Sequence, residues 1–174
     1  MILPSFISAW IEMIQQFQTL TAAAIGGVIA IWYNRKKMDL DKRVFKRELF
    51  EKFNVRYDVL NDRLLSLRQL ESKIVVEHRA CSENLTGDVW EDIFTSTPFK
   101  YPEEEGTVYD YINLCSEEYY WYKMGFVECD VWNCWHSGMI QWYSRSVFVK
   151  KIVESEIRDE SPYYNKDFFS IWNV

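Results

Sequence analysis

Residues 1–34 carry a single full charge, Glu12, and the pattern then changes at once to Arg35, Lys36 and Lys37. As a helix, residues 2–33 extend about 48 Å at about 1.5 Å per residue. That exceeds a bilayer hydrocarbon core of about 30 Å. Trp10 and Trp32 are separated by roughly 33 Å on such a helix, the spacing of aromatic belts at the two membrane interfaces. The pattern predicts a span near 11–33. At helical spacing Glu12, Gln15, Gln16, Thr19, Ala22, Ala23, Gly26, Gly27 and Ala30 fall on one stripe, while Ile14, Phe17, Ile25 and Val28 lie elsewhere. Glutamines at membrane depth need partners, and the pairs Ala22/Gly26, Ala23/Gly27 and Gly26/Ala30 allow close backbone approach in lipid. A solitary anchor needs no such face. The expectation is a homo-oligomeric ring in which Glu12, Gln15, Gln16, Thr19, Ala23, Gly26, Gly27 and Ala30 form a seam between copies or line a pore.

Beyond the span, Phe45, Leu49, Phe53, Leu60, Leu64, Leu67, Leu70 and Ile74 recur close to a 3.6-residue period, with no Pro or Gly from 38 to 86. This predicts a long amphipathic helix that continues the membrane helix as a stalk. Residues 82–107 contain Gly87, Pro98, Pro102 and Gly106 and read as loop with a short helix at 88–94. A helix over 107–124 stopped by Gly125 is expected next. One or two helices follow over 129–157 with Asp130 as N-cap, and a last helix is capped by Asn165. No sustained alternation or hairpin dipeptide occurs, so the fold is expected to be all-α. The segments divide as 1–37 for the membrane helix and its basic flank, 38–80 for the stalk and 81–174 for an aromatic-rich helical body that packs with the stalk.

Charge fixes the orientation. Residues 35–79 hold 13 Lys and Arg against 8 acids, giving +5, and residues 80–174 hold 7 against 17, giving −10. No Lys or Arg precedes the apolar run, so the positive-inside rule places the N-terminus outside and the body in the cytoplasm of a single-pass membrane protein. The missing basic n-region argues against a cleaved signal peptide. The basic neck suits anionic lipid headgroups. The acidic body suits neither phosphate neutralisation nor direct DNA binding. Aromatic residues make up 17% of the chain, with eight Trp, which excludes a disordered body.

Candidate chemistry is sparse. His78 and Cys81, then Cys129, Cys134 and His136, offer thiolates and imidazoles at spacings that fit tetrahedral zinc poorly. No metal or cofactor is expected, and a reducing cytoplasm makes disulfides among the four cysteines unfavourable. Helical RNases use an Arg-x4–6-His motif for general acid–base catalysis. Here Arg158 is followed at that spacing by Asn165, which cannot shuttle a proton near neutral pH, so no enzyme activity is expected. Triads and phosphate loops are missing from the sequence. Lys150 and Lys151 beside the aromatic cluster offer a site for an anionic ligand.

The uncharged span, RKK with KRELFEKFNVRYDVLNDRL, the segment VWNCWHSGMIQWYSRSVFVKKI and the closing PYYNKDFF together resemble the small single-span accessory proteins of type VI-B CRISPR antiviral systems, whose soluble part is a divergent HEPN-type helical domain. In layout the chain is also similar to the cyclic-oligoadenylate-gated membrane effectors of type III systems. The first resemblance implies a pore in the bacterial inner membrane that enhances defence by depolarising it, functionally linked to an RNA-guided nuclease. It also marks Arg158 and Asn165 as a HEPN-like position that has lost its histidine. The second implies a cytosolic domain that binds a cyclic oligonucleotide. A non-conducting tethered scaffold remains a third reading.

Overall fold

The computed structural model describes residues 3–81, 89–95, 100–159, 164 and 166–172. In these the chain forms helices α1 (Leu3–Cys81), α2 (Val89–Thr95), α3 (Pro102–Lys123), α4 (Cys129–Arg145), α5 (Val147–Arg158) and α6 (Lys166–Phe169), followed by a 3₁₀ turn at Ser170–Trp172. No strand occurs among the described residues, so the protein is all-α. The chain divides into two compact units, residues 1–47 and residues 48–174. The boundary falls ten residues beyond the 37/38 junction expected from hydropathy, and within α1.

In the first unit the α1 residues from Trp10 onward are solvent-exposed almost without exception. Trp10, Phe17, Leu20, Ile25, Val28, Ile29 and Trp32 are all at least half exposed. Large apolar side chains in that number are not left facing water by a soluble fold. By length and composition this is a helix able to cross a membrane. The hydroxyls of Thr19 and Thr21 donate to the carbonyls of Gln15 and Phe17 at 2.9 and 2.7 Å, which satisfies them within the helix, as a span requires.

The second unit is built around the apolar stripe of α1. Leu49, Phe53, Leu60, Leu64, Leu67 and Ile74 are buried in one core with residues of α3, α4 and α5, as the period predicts. Phe45, the first member of that stripe, belongs to the first unit and is 38% exposed. The body aromatics are mostly core: Tyr111, Phe148, Phe168 and Trp172 are at most 2% exposed. Phe148 is met edge-on by Trp90, Phe94 and Tyr101, the geometry that aromatic quadrupoles favour.

Several predicted boundaries are corrected. Helix α3 begins at Pro102, not beyond the Pro/Gly-rich stretch, because proline is well suited to a first helical turn. Glu103, Glu104 and Glu105 complement the helix dipole there, and Gly106 lies inside the helix. The short helix expected at 88–94 is α2 at Val89–Thr95. Gly125 adopts φ 75°, ending α3 in the left-handed conformation that favours glycine. Residue 128, not Asp130, is the N-cap of α4, and Asp130 sits in its first turn. Ser146 then separates α4 from α5. Its Oγ accepts from the Val149 amide at 3.2 Å and donates to Glu71 Oε1 at 2.7 Å. The same Glu71 oxygen accepts from the Phe148 amide at 2.9 Å. A carboxylate of α1 thus caps the start of α5 and ties the two helices together. The cap expected at Asn165 lies outside the described residues.

Candidate functional site

The residues from Glu12 to Ala30 expected to form a seam lie on one side of exposed α1. Glu12, Gln15, Gln16, Thr19 and Leu20 border a shallow depression on α1, and Gln15 to Thr19 and Ala23 to Ala30 are exposed throughout. At Gly26 and Gly27 an added Cβ would meet nothing within 4 Å, so this surface has room for the backbone of another helix. Polar groups for one half of the face and flat small residues for the other are what two helices need to pack in lipid.

The other sequence candidates are not brought together. Arg158 is exposed at the end of α5, and Asn165 lies outside the described residues. Lys150 and Lys151 are each near a glutamate, Glu154 at 3.9 Å and Glu91 at 3.7 Å, which weakens them as an anion site. His136 stacks flat on Trp132 at 5.6 Å, and its Nε2 donates to the Ile171 carbonyl at 2.6 Å. That bond occupies the nitrogen as a structural tie between α4 and the C-terminal turn. Cys129 and Cys134 are exposed free thiols and Cys115 is buried. No cluster of three metal-ligating side chains occurs among the described residues, and the side chains of His78 and Cys81 lie outside them.

A feature that sequence reasoning missed lies between α1, α3 and α4. A cavity of about 220 Å³ is lined by residues that include Asn54, Tyr57, Tyr111, Glu118 and Trp135. Glu118 is 5% exposed. Burial pushes its carboxyl up to about 8; Arg56 pulls it down and Glu117 pushes it up further. Arg56 is itself committed to Glu117 by two hydrogen bonds of 2.6 and 2.9 Å. Tyr111 is 1% exposed; no nitrogen or oxygen bonds its hydroxyl, and the Cys115 thiol beside it is a weak partner. The neighbouring Cys115 thiol acts on it electrostatically, and burial pushes both groups well above their ordinary range. Tyr57 accepts from Trp142 Nε1 at 3.1 Å, which leaves its own proton free to donate.

The described residues define a helical protein in which one helix is long and apolar enough to cross a membrane, followed by a compact aromatic-cored unit. No protein-family model, curated protein or solved structure matches the chain.

Proposed function

We propose that the chain is a single-pass membrane protein, N-terminus out, that assembles with copies of itself through the Glu12-to-Ala30 face and permeabilises the membrane as a pore. The observation that carries this reading is the exposed α1 segment, where polar Gln15, Gln16 and Thr19 are followed on the same side by Gly26 and Gly27 with open space above them. In lipid the glutamine side chains find partners only on another helix or in a water-filled lumen. The bacterial inner membrane, the HEPN-like character of the body and a role beside an RNA-guided nuclease in antiviral defence belong to this proposal through the layout resemblance alone.

Mass measurement in detergent and dye release from liposomes test the pore directly. A large discrete oligomer and release by the wild type are expected. The double variant Gly26→Leu/Gly27→Leu should weaken both, because leucine side chains fill the close approach. A monomeric wild type, or release by the variant equal to that of the wild type, would sink the seam.

A further inference from the structure

The cavity between α1, α3 and α4 stands apart from the seam, lying wholly within residues 48–174. Protein cores are packed to near-crystalline density, with few voids larger than a water molecule. A space of about 220 Å³ is large enough for a small organic molecule, since a single water occupies about 30 Å³ of liquid. Its lining residues range from buried Tyr111 to exposed Cys134, so it reaches from the core to the surface.

Two polar groups there lack a strong partner. Buried side-chain oxygens are almost always hydrogen-bonded, and an exception points to an unseen water, ion or ligand. The Tyr111 hydroxyl comes close to such an exception, with no nitrogen or oxygen partner and only the weakly bonding Cys115 thiol beside it. The Glu118 carboxyl is buried without an ion pair, because the guanidinium of Arg56 is held by Glu117. Without a counter-ion the buried group keeps its proton, because ionising it there is costly. Tyr57, Tyr111 and Trp135 contribute aromatic wall, beside Asn54, Met139 and the thiols of Cys115 and Cys134. Carboxylate plus aromatic faces is the chemistry that holds a cation whose charge is spread over carbon. It repels phosphates and other anions.

We propose that this cavity binds a small organic ammonium ion, with the Glu118 carboxylate as counter-ion, the rings of Tyr57, Tyr111 and Trp135 as walls and the Tyr111 hydroxyl as a hydrogen-bonding group for the ligand. Charged and titratable groups around Glu118 are Arg56 and Tyr57 on α1, Tyr111, Cys115 and Glu117 on α3, and Cys134 on α4. None of them supplies a second unengaged positive charge. Because the empty site holds a proton on Glu118 at neutral pH, cation binding expels that proton, and affinity rises with pH through about 8.

The full chain in maltoside micelles is titrated by calorimetry with choline and with its neutral isostere 3,3-dimethylbutan-1-ol. Choline is expected to bind at least tenfold more tightly than the alcohol, with a heat that varies with buffer ionisation enthalpy as the proton leaves. Phosphocholine, whose phosphate meets Glu117 and Glu118, is expected to bind more weakly than choline. Glu118→Gln should lose at least tenfold in choline affinity together with the proton release, while its circular dichroism stays that of the wild type. Tyr111→Phe gives a smaller loss and keeps the proton release. The proposal is overturned if choline gives no heat at millimolar concentration, if the alcohol binds equally well, or if Glu118→Gln binds choline as the wild type does. Equal binding of phosphocholine overturns the assignment to a free cation and points to a lipid headgroup.

Discussion

Glu118→Gln tests the electrostatics of the body through its stability as well. The carboxyl sits at about 8 in the folded protein against an ordinary value of 4.5, so the folded state binds this proton more tightly than the unfolded chain. The stability contributed by the protonated form is fully present below about 4.5 and is lost as pH rises through about 8. At ~1.4 kcal/mol per pH unit, that interval corresponds to about 5 kcal/mol. A neutral amide cannot ionise, so the variant escapes the loss. It leaves a buried amide imperfectly bonded at a cost of about 1–3 kcal/mol, and a net gain of about 2–4 kcal/mol at pH 8.5 remains. For a chain of this size that is a rise in Tm of about 5–15 °C. The assay is tryptophan fluorescence of full-length protein in maltoside micelles, melted at pH 5, 7 and 8.5. At pH 5, where little of the loss has accrued, the variant should be the less stable by about 1 kcal/mol; the curves should cross near pH 6 and diverge above it. Glu71, which burial also pushes up, is common to both and drops out of the difference. Parallel curves for wild type and variant across this range would refute the reasoning.

Three further outcomes follow from other contacts. Glu71→Ala leaves the Ser146 hydroxyl and the Phe148 amide unmet at the start of α5 and should cost about 2–4 kcal/mol, read in denaturant titrations, whereas Glu71→Gln retains an acceptor and should cost less. Arg56→Ala breaks a bidentate pair whose side chains are 35% and 48% exposed, so its effect should stay within about 1 kcal/mol in the same titration. Phe168→Ala removes a fully buried ring packed by Tyr119, Tyr164 and Trp172 and should cost about 3–5 kcal/mol.

What was legible in the sequence was whatever a single helix expresses. The apolar period of 49–74 and the Gly125 stop are one-dimensional patterns, and the described helices follow them. The boundary at Pro102 was misread because proline and glycine were scored as breakers, when proline is also a favourable first-turn residue. The Ser146 break was left open because its stabilising partner, Glu71, is 75 residues away in the chain. No local pattern contains that contact.

The cavity was missed for the same reason, yet α3 carried a trace of it. Tyr111, Cys115 and Glu118 follow the i, i+4, i+7 spacing of one helix face. That face buries Val108, Tyr111, Ile112 and Cys115, so a glutamate at its next position falls where the pattern asks for an apolar residue. In 107–124 it was submerged among the flanking acids Asp110 and Glu117, which do face solvent. An acid on the apolar side of an amphipathic helix carries a desolvation cost that the fold does not need for its own stability. The polar half of the α1 face and Glu118 share that physical logic: in each, a polar group occupies a place where apolar residues would suffice, and the proposed partner, a second helix for one and a cation for the other, would offset the cost.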